Sequence, residues 1–320
     1  DPFSLHTRTL ADACWSLGGL INELPDHPSV NLWKQAMRSN VDAILDLQLP
    51  NGSYGCTYHA EKRRVLREDG CGGLLWLPAL LRAKTIFHDN TLSETISDSV
   101  RRAGTFYADA VRNEYIYGAP EDNLSATSED GMNAVLAYCA LYREFGQPDY
   151  LDLAKQSVDW MLTFRHLYNV RFDPQTILGA YDFRSRGGDS ASASNTHLHV
   201  FEVLCTRDLL DVAKWTGEEY YRRMAMEHLA FALQYLCRVD GQFNGFRGAA
   251  SEQFYACNVS SFGHDTHTVE TPGAGNGWDP GPAHRQKGHI CGFSTIWCIN
   301  MMIFAAEAML REGVIDSKNR

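Results

Sequence analysis

Residues 128–145 read Ser128-Glu129-Asp130-Gly131 followed by MNAVLAYCALYREF: two carboxylates and a glycine open a run that is apolar on nearly every side. A helix of that composition is buried on most faces and cannot lie along a surface. Upstream, Glu68-Asp69-Gly70 opens a second such run, CGGLLWLPALLRAKTIF over 71–87. Two buried helices, each introduced by a pair of acids, suggest the rim of a pocket at one end of a set of inner helices.

Working outward, apolar periodicity predicts helices over 4–24, 29–48, 71–88, 92–114, 129–146, 149–166, 196–216, 218–238 and 289–312, with little strand alternation. They are of two kinds. The segments beginning at 4, 71, 129, 196 and 289 are apolar nearly all round, whereas those beginning at 29, 92, 149 and 218 carry a charged stripe. Links from buried to exposed helices are short, as in Gly146-Gln147-Pro148 and Thr216-Gly217. Links back are long, at 49–70, 115–128, 167–195 and 239–288. Short links join antiparallel neighbours, and long ones in a compact domain are usually functional. The pattern predicts an all-α chain, one domain over 1–320, built as an (α/α) toroid of helical hairpins with its long loops on one face. Only about four and a half hairpins are visible, so the ring is expected to be incomplete or truncated.

Composition removes several function classes. The net charge is −10, against a nucleic-acid partner, which would ask for a basic face. No run reaches the roughly 18 apolar residues of a membrane helix. No phosphate-cradling glycine loop follows a strand, and no GxSxG elbow is present. The nine cysteines include Cys139, Cys205 and Cys298 inside apolar helical runs and no CxxC pair. They read as core thiols and lean towards a reducing, cytoplasmic setting. The chain opens on Asp1 rather than Met, so a removed export signal, and with it a periplasmic or secreted location, stays open.

The hairpin alternation, the phrase Leu47-Gln48-Leu49-Pro50-Asn51-Gly52-Ser53 ending an outer helix, and Gly146-Gln147-Pro148-Asp149-Tyr150-Leu151 between an inner and an outer helix resemble the six-hairpin (α/α) glycosidases. The resemblance covers most of the chain and is architectural. It departs in the hairpin count, and no particular family's catalytic signature is matched. It implies a carbohydrate site at the N-termini of the inner helices, with Asp or Glu in acid/base roles and no cofactor.

The residues support the same site independently. Glycoside hydrolysis needs two carboxylates, one protonated and one ionised. Glu129, Asp130 and Asp69 stand where buried helices begin, and Glu252 and Asp265 lie in the longest link. Capping and the helix macrodipole favour acids at those helix starts equally well. The loop Tyr181-Asp182-Phe183-Arg184-Ser185-Arg186-Gly187-Gly188-Asp189 leads through serines to Asn195-Thr196-His197-Leu198-His199. Arg184 and Arg186 suit bidentate binding of a uronate or a surface salt bridge. Asn195, His197 and His199 are expected to bind substrate. In the longest link Tyr255, His267 and Trp278 offer sugar stacking and hydrogen bonding, or a lid without chemistry. Neither the His197/His199 pair nor His264-Asp265-Thr266-His267 has a standard metal spacing, so no metal is expected.

These features rank a glycoside hydrolase on an oligosaccharide first. A uronate lyase, using Asn195 and an arginine with His197 and Tyr181 or Tyr255, is the second reading. A sugar epimerase or isomerase with histidine bases is the third, and a noncatalytic helical scaffold the fourth. The expected partner is a carbohydrate.

Overall fold

The structure is a computed structural model that describes residues 3–118, 125–172, 177–192, 197–244, 246–250, 253–255 and 292–315. The chain divides into two compact units, Asp1–Met161 and Leu162–Arg320.

In the first unit the helices form hairpins: α1 (Thr7–Glu23) with α2 (Val30–Leu47), α3 (Trp76–Phe87) with α4 (Asn90–Arg112), and α5 (Ser128–Phe145) with α6 (Pro148–Met161). The predominantly apolar helices α1, α3 and α5 pack on one another in sequence. The charged-stripe helices α2, α4 and α6 each bury one face. Both kinds are therefore in the roles their patterns predict. Gly131 allows one close contact between these helices. A Cβ there would stand 2.7 Å from the Cβ of Met161 and 2.8 Å from its Cα, so only glycine lets α5 approach α6 so closely. At the other end of α5, Gly146 adopts φ +63° and returns its N–H to the carbonyl of Tyr142 at 2.8 Å. That left-handed turn costs glycine nothing, and Pro148 then starts α6.

The long link after α2 is pinned by polar contacts. A three-stranded antiparallel sheet joins β1 (Ser4–His6), β2 (Thr57–His59) and β3 (Arg64–Arg67) in that order. Beneath it, Trp76 donates to Thr7 Oγ1 at 3.0 Å, which lies 2.8 Å from the hydroxyl of Tyr58. The Tyr107 hydroxyl accepts from the backbone of Tyr54 at 3.1 Å. Burial pushes the phenols of Tyr54, Tyr58 and Tyr107 upward, so they serve as neutral hydrogen-bonding groups.

In the second unit the short helix α7 (Ile177–Ala180) precedes the hairpin α8 (Thr206–Thr216) and α9 (Glu219–Ala232), turned by Gly217 at φ +75°. Helix α10 (Gly292–Arg311) packs on α8 and on a 3-10 turn, Phe201–Cys205. A second antiparallel sheet has the order β4 (Asp189–Ser190), β5 (His197–His199), β6 (Gln253–Tyr255). The helix expected over 196–216 is therefore shorter than predicted. It begins at Thr206, because 197–199 takes up ladder bonds with strands on both sides and 201–205 winds as 3-10. Short-range periodicity cannot see pairing partners from distant sequence. The other expected helices are present within a few residues of their predicted ends. None of the seven described cysteines forms a disulfide, and all seven are buried. No helix among the described residues is long and apolar enough to cross a membrane.

Candidate active site

Asp130, the most conspicuous acid of the sequence, is fully buried at the start of α5 and faces its own helix. One carboxylate oxygen accepts from the Thr127 backbone at 2.8 Å and from its hydroxyl at 2.9 Å. The Asp130 N–H in turn lies 3.3 Å from Thr127 Oγ1. This reciprocal pair is a capping box with Asp in the third position. Glu129 makes an ion pair with Arg8 of α1 at 2.6 Å, and Arg8 also reaches Asp12 at 3.3 Å. Asp69 is exposed and held by Arg67 through contacts of 3.1 and 2.7 Å. Those hydrogen bonds lower its carboxyl below the usual range. A general acid needs the opposite shift.

The arginines of the 181–189 loop are on the surface. Arg184 pairs with Asp182 at 3.4 Å, and Arg186 with Glu227 at 2.7 Å. Tyr181 is exposed and donates to the carbonyl of Gly241. Asn195, Glu252, Asp265, His267 and Trp278, together with His264, lie outside the described residues. His197 and Tyr255 are opposed backbone partners in the β5–β6 ladder.

The same loop nevertheless leads to a buried polar cluster. Gly187 takes φ +90°, and a Cβ on it would meet the Glu227 carbonyl oxygen at 2.3 Å; one on Gly188 would strike the ring of Phe231 at the same distance. The Gly-Gly pair thus lets the chain cross α9 in close contact. Directly after it, Asp189 enters β4 opposite His199 of β5. Asp189 is completely buried. Arg165, from the turn after α6, donates to both its oxygens, at 2.5 and 2.9 Å. Arg165 also donates to the Met224 carbonyl at 3.1 Å and lies 2.5 Å from Nδ1 of His228 on α9. A guanidinium can only donate, so His228 Nδ1 accepts and its proton sits on Nε2. His228 Nε2 is buried with no hydrogen-bond partner among the described residues. His199 Nδ1 stands 3.5 Å from Glu202 Oε1, and both residues are 2 % exposed.

Burial decides the protonation of this cluster. It pushes the Asp189 carboxyl up to about 7, against the opposing pull of Arg165. It drives His228 well below its ordinary value, helped by the charge of Arg165. Burial also lowers His166, whose Nε2 lies 2.9 Å from Ser190 Oγ. Asp189, Glu202 and His228 bring one ligand atom each within 4.8 Å of one another, a spacing that suits a metal ion. Arg165 already touches two of those three groups, so a guanidinium supplies the positive charge there.

An aromatic shelf adjoins the cluster. The Phe201 ring lies 3.6 Å from the His199 ring, centroid to centroid, and 4.3 Å from Trp297 of α10, whose indole remains 37 % exposed. A partly exposed indole beside polar groups is a surface on which the CH face of a sugar packs.

Of the residues singled out in the sequence, only His199 belongs to this cluster; Arg165, Asp189, Glu202 and His228 were not chosen. The available signals were a His-x-x-Glu spacing over His199-Val200-Phe201-Glu202 and a charged residue directly after Gly187-Gly188.

At the level of sequence, no family model and no curated protein matches the chain. Solved structures do. A D-mannose isomerase is 12 % identical over 94 % of this chain and 72 % of its own, with a TM-score of 0.55. Cellobiose 2-epimerase from Bacillus thermoamylovorans B4167 is 8 % identical over 95 % and 73 %, at 0.57. A sugar epimerase from a ruminal bacterium is 10 % identical over 92 % and 72 %, at 0.52. The chain shares the helical-hairpin fold of these structures, as the hairpin alternation in the sequence indicated.

Proposed function

We propose that this protein is a sugar isomerase or 2-epimerase that moves a proton at the carbon beside a sugar carbonyl, with His199 as the base. One observation carries this reading: the most deeply buried polar cluster is built of histidines, an arginine and carboxylates that hold one another, and it adjoins an aromatic shelf. Removing a proton next to a carbonyl requires a base of near-neutral pKa in a site from which water is excluded. His199 is buried, and Glu202, 3.5 Å from its Nδ1, fixes the ring and stabilises the imidazolium that forms. After its proton exchanges with solvent, the same histidine protonates the neighbouring carbon for isomerisation; epimerisation requires that the proton reach the opposite face of the original carbon, from a second group or after the enediolate has turned in the site. Phe201 and Trp297 hold the sugar ring. The activities of the isomerase and the two epimerases that share the fold support this choice.

A glycoside hydrolase is compatible with the same fold. It requires two carboxylates flanking a glycosidic bond, about 5 to 9.5 Å apart. In the first unit Asp130 is occupied with its cap, Asp69 with Arg67 and Glu129 with Arg8, so none is presented as an acid/base partner of another.

Incubation with mannose, glucose, fructose and cellobiose in deuterated water, followed by proton NMR, separates the two readings. Interconversion with deuterium entering at C2 is expected, and His199→Asn should lower it by at least about a hundredfold. Release of free sugar from oligosaccharides without any exchange at C2 would overturn the proposal.

A further inference from the structure

We propose that Asp189 is a positioning residue whose own ionisation sets the basicity of His199, with Arg165 as the fixed countercharge. This rests on the reading of His199 as the base. The groups that face Asp189 come from every element around it: Arg165 from the turn after α6, His228 from α9, His199 from the neighbouring strand and Glu202 from the 3-10 turn. His228 is held neutral, so it adds no charge. Among the described residues, the variable charges near His199 are those of Asp189 and Glu202.

Arg165 cannot lose its proton, but Asp189, raised by burial, can change state near neutrality. With Asp189 ionised, the guanidinium is balanced and His199 sees the carboxylate of Glu202, which favours the imidazolium. With Asp189 protonated, the guanidinium is unbalanced, and its field opposes a proton on His199. Strand register places Asp189 and His199 as direct cross-strand partners, so the two are coupled at short range. Arg165 clamps the carboxylate from both oxygens, so its position does not drift as it titrates.

The test is an NMR titration of the protein with its histidine rings carbon-13 labelled at Cε1 and its aspartate carboxyls labelled, which reads protonation without turnover. In the wild type, the Asp189 carboxyl should titrate near neutrality and the His199 ring should show an inflection at the same pH. Removing a unit charge at about 6 Å, in an effective dielectric of about 20, shifts a neighbour's titration by roughly two units. Asp189→Asn should therefore lower the His199 midpoint by about one to two units, whereas Arg165→Gln, which also lets Asp189 keep its proton, should not lower it. The pair Arg165→Met with Asp189→Asn restores the charge balance and should return the midpoint to within about half a unit of wild type. A purely structural role predicts no such return.

A wild-type His199 curve with no inflection shared with Asp189 overturns the proposal, even if every variant fails to fold. So does a folded Asp189→Asn protein whose His199 titrates as in wild type. If these shifts appear but no sugar exchanges deuterium, the functional reading fails and the coupling stands.

Discussion

The buried pair Asp189 and His228 makes an unusual prediction about stability and pH. Folded, Asp189 holds its proton up to about pH 7, far above its ordinary 3.8. Between those values the folded chain binds a proton that the unfolded chain has lost. Asp189 therefore stabilises the fold in acid, and its contribution declines as pH rises towards 7. His228 does the reverse. Its folded pKa lies well below the ordinary 6.5, so below that pH the unfolded chain takes up a proton that the folded chain refuses. The stability His228 provides is present above 6.5 and is lost as pH falls. From about pH 4.5 to 6.5 the two slopes oppose each other, each at most about 1.4 kcal/mol per pH unit, or about 3 kcal/mol over the window.

Single variants should uncover each slope. In His228→Asn, where the amide oxygen keeps an acceptor for Arg165, only the Asp189 term remains. Measured against wild type, this protein should become less stable as pH rises through the window. Asp189→Asn, measured the same way, should become relatively more stable. For a unit of this size about 3 kcal/mol corresponds to roughly 6–12 °C in Tm. Calorimetry or tryptophan-monitored thermal unfolding at half-unit steps of pH gives both curves, and carboxylates elsewhere cancel in the difference from wild type. If both variants run parallel to wild type across the window, the cluster does not hold its protons as argued, and the assignment of a neutral His228 fails with it.

Other consequences are simpler. Gly131→Ala drives a methyl into Met161 at 2.7 Å and should destabilise the protein by about 1–3 kcal/mol, read by urea unfolding. Thr127→Ala removes the cap of α5 and should cost about 1 kcal/mol in the same measurement. Asp69→Asn breaks an exposed ion pair and should change stability by less than about 0.5 kcal/mol, with sugar turnover unaffected. Trp297→Ala removes the exposed ring of the aromatic shelf and should raise KM by about tenfold with little effect on kcat, read by initial rates.

The helices were legible because their information is local. The near-complete apolarity of 131–142 and the charged stripe of 92–112 each report a degree of burial, and the alternation of short and long links reports hairpins. The site was largely illegible because its information is distant. Asp189 and His199 meet through a strand pairing, Arg165 arrives from the end of a different helix, and His228 sits on the apolar face of α9, where a histidine reads as an ordinary core residue. The acids that drew the eye are conspicuous for a local reason. Thr127-Ser128-Glu129-Asp130 is the signature of a helix start, and Asp130 obeys it.

That contrast bears on where chemistry should be sought in the chain. Asp130 needs no catalytic role to explain its place, because its capping box with Thr127 is what a helix start asks for. The Arg165–Asp189–His228 cluster resists such an explanation. Taking charged groups out of water costs several kcal/mol per ion, and well-packed apolar side chains would fill the same space without that cost. Helix ends need no arginine there, and the β4–β5 ladder would form with any residue at Asp189. What the charges provide, and apolar side chains cannot, is control of protonation at His199 and Glu202 in a place closed to water. Local rules account for the acids on the helix starts, and they leave the buried cluster as the feature that calls for a reaction.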